Sequence, residues 1–182
     1  MAIEPEVGIS KETVYDGRLI KVVKEKVRIH TGEERWREIV VHPGAVVILP
    51  FFDDKTILLI RNKRYTIQQI LLELPAGTLE HGESPMNTAG RELQEETGYL
   101  ASRIKPIANF YSSPGILTER MYAFAAYGLQ KTSPALEEGE ELEVFSVEFS
   151  DAVSMIRDGQ IQDGKTIATL LLYERFFAEG KI

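Results

Sequence analysis

The run Gly77-Thr-Leu-Glu-His-Gly-Glu-Ser-Pro-Met-Asn-Thr-Ala-Gly-Arg-Glu-Leu-Gln-Glu-Glu-Thr-Gly-Tyr99 constrains this chain more than any other stretch. Glu92, Glu95 and Glu96 stand at i, i+3 and i+4, positions that share one face of a helix. Like charges gathered on one face repel, so local stability gives no reason to put them there. A divalent cation does, because hard ions such as Mg²⁺ take several oxygen ligands and bridge to phosphate. The bland alternative is a solvated acidic helix face, which explains neither the glycines nor Arg91. The helix is well bounded: Ser84 suits an N-cap, Pro85 the first helical position, and Gly98 a left-handed C-terminal cap. Met86, Ala89, Gly90, Leu93 and Thr97 form a second stripe, expected to be buried while the acids face outward.

The whole segment resembles the Nudix hydrolase signature, whose fixed positions are filled by Gly77, Glu83, Arg91, Glu92, Leu93, Glu95, Glu96, Gly98 and Tyr99. The resemblance implies hydrolysis of a pyrophosphate in a nucleoside diphosphate linked to another group. Carried over residue by residue, it implies that Glu92, Glu95 and Glu96 hold Mg²⁺ or Mn²⁺, with the backbone carbonyl of Ala76 as a further ligand. It also implies that Glu83 and Arg91 pair and brace the loop–helix–loop. Metal ions offset the charge of a diphosphate, polarise the phosphoryl oxygen and activate water, so the protein supplies positioning and electrostatics.

Pro114, sixteen residues after Gly98 within Ser112-Ser113-Pro114-Gly115, resembles a marker of the ADP-ribose pyrophosphatase branch. An ordinary turn would also use those residues. The branch resemblance implies substrate contacts from Pro114 and Glu119, from Arg64 to the diphosphate, and from Trp36 or Arg37 to the base. It further implies a homodimer through the N-terminal segment. Trp36, the only tryptophan, lies in the charged stretch Glu34-Arg35-Trp36-Arg37-Glu38, where an indole either stacks a base or packs at the strand surface. Glu119 reads equally as an exposed loop acid. Related enzymes recruit a catalytic base from a loop beyond the box; Glu138 and Glu140, flanking Gly139, both match and the sequence does not choose between them.

Composition fits a compact enzyme. The chain has 182 residues, 43 % of them hydrophobic, and no apolar run of membrane-spanning length. It has no cysteine, which excludes disulfides, thiolate metal sites and a cysteine nucleophile. The start Met1-Ala2-Ile3-Glu4-Pro5 lacks the layout of a signal peptide, so a cytoplasmic protein is expected. A net charge of −7 argues against a general nucleic-acid binder; the small-molecule nucleotide-sugar substrate that the resemblance implies would be met through metal ions or local arginines. His30, His42 and His81 form no ligand cluster, His81 reading as a turn residue, and no Gly-x-Ser-x-Gly motif is present.

Residues 1–42 read as an N-terminal antiparallel β ribbon, with two or three strands in 11–42 and a turn at Thr31-Gly32-Glu33. From Gly44 the pattern changes to buried strands at 45–49 and 56–60, joined by Asp53-Asp54-Lys55. Strands are predicted at 102–111, 120–129 and 143–149, an acidic loop at 133–142, and helices at 150–158 and 164–179. The fold class is therefore α/β (α+β) with a mixed sheet, and the resemblance implies the Nudix α/β/α sandwich over residues 43–182.

Overall fold

The structure, a computed structural model, describes residues 5–134 and 142–177. Its strands are β1 (Val7–Asp16), β2 (Lys21–Arg28), β3 (Glu34–Val41), β4 (Ala45–Pro50), β5 (Thr56–Arg64), β6 (Gln69–Glu73), β7 (Ala76–Thr78), β8 (Tyr99–Tyr111), β9 (Arg120–Lys131) and β10 (Leu142–Glu148). Its helices are α1 (Pro85–Thr97), α2 (Phe149–Arg157) and α3 (Gly164–Phe176). They fall into two compact units. One contains the chain up to Gly44 with Tyr111–Arg120; the other contains Ala45–Phe110 and the chain from Met121.

The second unit is organised by β4, every residue of which is buried. It pairs antiparallel with β7 and parallel with β9, and β8 lies beyond β9. A strand covered on both faces has to be apolar throughout, as Ala45-Val46-Val47-Ile48-Leu49 is. Its alternation assigns the faces. Val47 and Leu49 cluster with Ile57 and Leu59 of β5, Ala152 of α2 and Leu170 of α3, whereas Val46 and Ile48 cluster with Ala89 and Leu93 of α1. A second sheet of order β10-β5-β6, antiparallel throughout, completes the unit. The expected mixed α+β sandwich is what forms. The Asp53 turn forms too: the Asp53 carboxylate accepts the N–H groups of Lys55 and Thr56 at 2.9 and 2.8 Å.

In the first unit β2 pairs with β1 on one side and β3 on the other, with two register shifts along β1. Val23 and Val27 of β2 are buried, while every residue of β1 is exposed. The segment Tyr111–Arg120 docks on the end of β3. Val40 N–H donates to the Ile116 carbonyl at 2.7 Å, Thr118 N–H returns to the Val40 carbonyl at 3.0 Å, and His42 N–H donates to Thr118 Oγ1 at 2.9 Å.

Helix α1 starts and stops where the sequence indicates. Ser84 caps it by accepting the Asn87 N–H at 3.3 Å, and Gly98 takes the left-handed conformation at φ 70°, its N–H donating to Gln94 at 2.8 Å. The buried arc differs from the expected one. It comprises Thr88, Ala89, Leu93, Glu96 and Thr97, while Met86 is 48 % exposed. The supported face is centred near Ala89, Leu93 and Glu96, which carries Glu96 inward; Met86 points in the direction of Leu93 but lies in the first turn, at the N-terminal end of the helix. Leu93→Ala should therefore cost about 2–5 kcal/mol in urea unfolding. Met86→Ala should stay within about 0.5 kcal/mol; equal losses would contradict this face assignment.

Candidate active site

The strap Glu73-Leu74-Pro75-Ala76 feeds the site from the core. Leu74 N–H donates to Thr166 Oγ1 at 2.9 Å, the Pro75 carbonyl accepts Ile48 N–H at 2.8 Å, and Ala76 N–H donates to Glu96 Oε2 at 2.9 Å. Each polar backbone group is thus tied to a different element, which fixes the start of β7 against α1. Next comes Gly77, whose missing side chain is essential. A Cβ there would lie 1.8 Å from the Glu92 Cδ and 2.0 Å from its Oε1. The carboxylate of Glu92 occupies the space that any other residue would fill.

Arg91 gathers the remaining acids. Its Nη1 lies 2.9 Å from Glu92 Oε1 and 2.8 Å from Glu95 Oε2. Its Nε and Nη2 reach the two oxygens of Glu83 at 3.3 and 3.1 Å, and Nη2 also lies 3.4 Å from the Thr78 carbonyl. Burial, the largest single influence, favours loss of the Arg91 proton. The hydrogen bond to Glu83, the charge of Glu92 and the hydrogen bond to Glu95 together outweigh it and hold the guanidinium charged far above the usual arginine range. The same bond from Arg91 holds the Glu83 carboxyl below its ordinary range. The pairing of Glu83 with Arg91 is therefore present in the fold, and Glu92 and Glu95 share the same guanidinium.

Among the described residues, no three acidic or imidazole groups already converge as a ready-made ion site. The donor chemistry nevertheless fits a hard divalent ion. Glu92, Glu95 and Glu96 offer only carboxylate oxygens, and Gly77 leaves the approach to Glu92 open. An ion bound here would draw on the carboxylates that Arg91 now engages. Glu96 is nearly buried, contrary to an outward acidic face, and one of its oxygens already anchors Ala76.

The other candidates separate into three groups. Trp36, Arg37 and Pro114 come together in the first unit, lining a cleft of about 600 Å³ with Lys24, Glu38 and Ile116. Trp36 is 52 % exposed with Lys24 Nζ 5.9 Å from its ring centre, and Arg37 is held by the Glu6 carboxylate, with Nε 3.0 Å from Oε2. Glu119 faces His42 Nδ1 at 3.5 Å, the same nitrogen that accepts Gly44 N–H at 3.1 Å. Arg64 forks onto Glu73, Nε to Oε1 at 2.8 Å and Nη2 to Oε2 at 2.6 Å. Glu138 and Glu140 lie outside the described residues. Sequence reading missed Glu73, which holds Arg64, and the Lys165 and Asp163 that join Glu73 in one ion-pair chain. The available signal was a glutamate inside the apolar run Leu71-Leu72-Glu73-Leu74.

A family model described as the NUDIX domain matches residues 41–170. The chain belongs to the Nudix family. This Nudix hydrolase is 39 % identical over 163 residues to an ADP-ribose pyrophosphatase of Bacillus subtilis (strain 168), covering 88 % of each chain. It is 35 % identical over 164 residues to a protein of Bacillus methanolicus named methanol dehydrogenase activator, covering 89 % of each. A crystal structure of an ADP compounds hydrolase superposes with a TM-score of 0.87 over the whole of both chains at 24 % identity, a likeness of fold.

The Gly77 cradle yields a sharp expectation for the Nudix hydrolase. The atoms a Cβ would strike are the far end of a mobile side chain, so Gly77→Ala should fold by displacing Glu92. Turnover should fall about 10²-fold, as expected for a misplaced catalytic group, with a near-native thermal midpoint. Full activity in the folded variant would show that the close approach is dispensable.

Proposed function

We propose that this chain hydrolyses the pyrophosphate bond of a nucleoside diphosphate sugar in a Mg²⁺- or Mn²⁺-dependent reaction, with ADP-ribose going to AMP and ribose 5-phosphate as the preferred case. The observation that carries the reading is the intact set of Arg91, Glu92, Glu95 and Glu96 on α1, with Glu83 in the loop before it, assembled beside Gly77 with partners for each. The relative named ADP-ribose pyrophosphatase supports the substrate.

Glu92, Glu95 and Glu96, with the Ala76 carbonyl, would hold the ion. Such an ion offsets diphosphate charge and raises the acidity of water at neutral pH. The chain's own residues hold the geometry. Arg91 and Glu83 keep the loop closed on α1, Glu96 fixes the β7 strap, and Gly77 keeps Glu92 close. Trp36 offers its exposed ring as a stacking platform for the base, with Arg37, Pro114 and Glu119 as further substrate residues. Within the class, ADP-glucose, GDP-mannose, NADH or a dinucleoside polyphosphate are the alternative substrates. A second reading, binding of the nucleotide to regulate a partner enzyme, is favoured by the relative named methanol dehydrogenase activator.

Purified protein with Mg²⁺ and a panel of these compounds decides between them. AMP release should be fastest with ADP-ribose, and Glu92→Gln and Glu96→Gln should each lower turnover by about 10²-fold or more. No turnover on any compound would favour the regulator, and near-wild-type rates in both variants would remove the ion from the ridge.

The homodimer belongs to the same proposal. All of β1 is exposed, including Val7 at 62 %, Val14 at 56 % and Tyr15 at 56 %. Apolar side chains exposed along a whole strand call for a covering surface. Sedimentation should give a dimer that Val14→Lys converts to monomer; a monomeric wild type would refute this assembly.

A further inference from the structure

A fully buried carboxylate lies outside the acidic ridge. Glu73 ends β6 with no exposed surface. Two cations meet it: Arg64, at the end of β5, forks onto both oxygens at 2.8 and 2.6 Å, and Lys165 of α3 reaches Oε2 at 2.5 Å. Asp163, the N-cap of α3, lies 2.9 Å from Lys165 Nζ and accepts the Thr166 N–H and hydroxyl at 3.0 and 2.6 Å. The two acids and two bases cancel in formal charge, the condition under which such a group is tolerated in a low-dielectric interior.

A structural staple needs less than this. One arginine fork already neutralises one carboxylate. Here Lys165 is added, and Asp163 then balances it. Well-packed apolar residues would serve stability at least as well. The geometry also leaves one edge of the guanidinium over. Arg64 spends Nε and Nη2 on Glu73, no described residue engages Nη1, and the side chain is 39 % exposed. A planar guanidinium fixed along one edge has its other edge aimed.

The partner of that guanidinium is joined to the acidic ridge by a short strap. Glu73 is followed by Leu74-Pro75-Ala76, and Ala76 N–H is bound by Glu96. The Arg64 guanidinium is held charged first by its hydrogen bond to Glu73, against desolvation, and then by the charges of Glu73, Asp163 and Glu96. The field of a ridge carboxylate thus reaches Arg64.

We propose that Glu73 is a positioning residue for diphosphate recognition, locking Arg64 and Lys165 onto one buried carboxylate so that the remaining edge of Arg64 faces the phosphate oxygens of a substrate held over Glu96. This rests on the function proposed above and extends it to a residue that touches no substrate. A donor fixed in advance needs no reorganisation when the anion arrives. The strap from Glu73 to Ala76 keeps that donor in register with the ridge.

Steady-state kinetics with ADP-ribose and Mg²⁺ on wild type, Glu73→Gln, Arg64→Lys and Lys165→Met test this, each run well below that variant's thermal midpoint. Glu73→Gln should raise KM about tenfold with kcat changed less than about threefold, the pattern of lost uniform binding. Arg64→Lys keeps the charge and loses the fork, and should raise KM by a similar factor. Lys165→Met should raise it less. A staple of purely structural value would lower the thermal midpoint and leave KM untouched. Where Glu73→Gln does not fold, Arg64→Lys carries the test with Glu73 intact. Wild-type KM in either folded variant overturns the proposal alone, whereas a wild type inert on the whole panel overturns the proposed function and this inference together.

Discussion

The site depends on one arginine holding apart, and holding together, acids that would otherwise scatter. Two like charges about 4 Å apart repel by about 4 kcal/mol at an effective dielectric near 20. Glu92, Glu95 and Glu96 on consecutive turns of α1 would carry several such terms. Arg91 meets Glu83, Glu92 and Glu95 with a single guanidinium, and Ala76 N–H takes one oxygen of Glu96. The repulsion is thus offset only in part, one guanidinium standing against four carboxylates, and the negative charge left over is what a divalent cation would meet. A lysine in that place would offer a point charge and lose the fork that spans Glu83 on one side and Glu92 and Glu95 on the other.

This balance needs a rigid frame, which the core supplies through β4. Val46 and Ile48 hold α1 against one face, while Val47 and Leu49 hold β5, α2 and α3 against the other. The strap from Glu73 to Ala76 then has no freedom, because its polar groups bind Thr166, Ile48 and Glu96 in turn. Packing of apolar side chains on both faces of one strand is therefore what places a carboxylate of α1 against a backbone amide of β7. Fold and site are built from the same contacts.

Much of this was legible in the residues, for identifiable reasons. The caps Ser84 and Gly98, the Asp53 turn and the two-faced strand β4 follow from local chemistry, and each stands where its residues indicate. The box was legible because its spacing is helical and its partners are close in sequence. Other features lacked a local signal. β7 has three residues with a glycine in the middle, and β1 is exposed along its whole length, so neither shows a full apolar alternation. Thr88 and Glu96 turn inward because helical periodicity fixes relative directions and leaves open which direction meets the sheet, while Met86, pointing the same way as Leu93, is exposed because it lies in the first turn.

Sequence distance sets the remaining boundary. Pro114 and Trp36 share a cleft because Tyr111–Arg120 docks on β3 through backbone bonds, and such bonds leave no mark on side-chain pattern. Glu73 and Lys165 stand 92 residues apart and meet on one oxygen. Closing so long a loop costs only slightly more entropy than closing a moderate one, so distance does not forbid the contact; it hides it. What a sequence does show is the exception that such a contact requires. A glutamate between Leu72 and Leu74 is costly to bury as a carboxylate unless a cation or other donors come from elsewhere, and the apolar run around it favours burial. A charged residue that interrupts a core strand therefore marks a distant partner, and here the partners are Arg64 and Lys165.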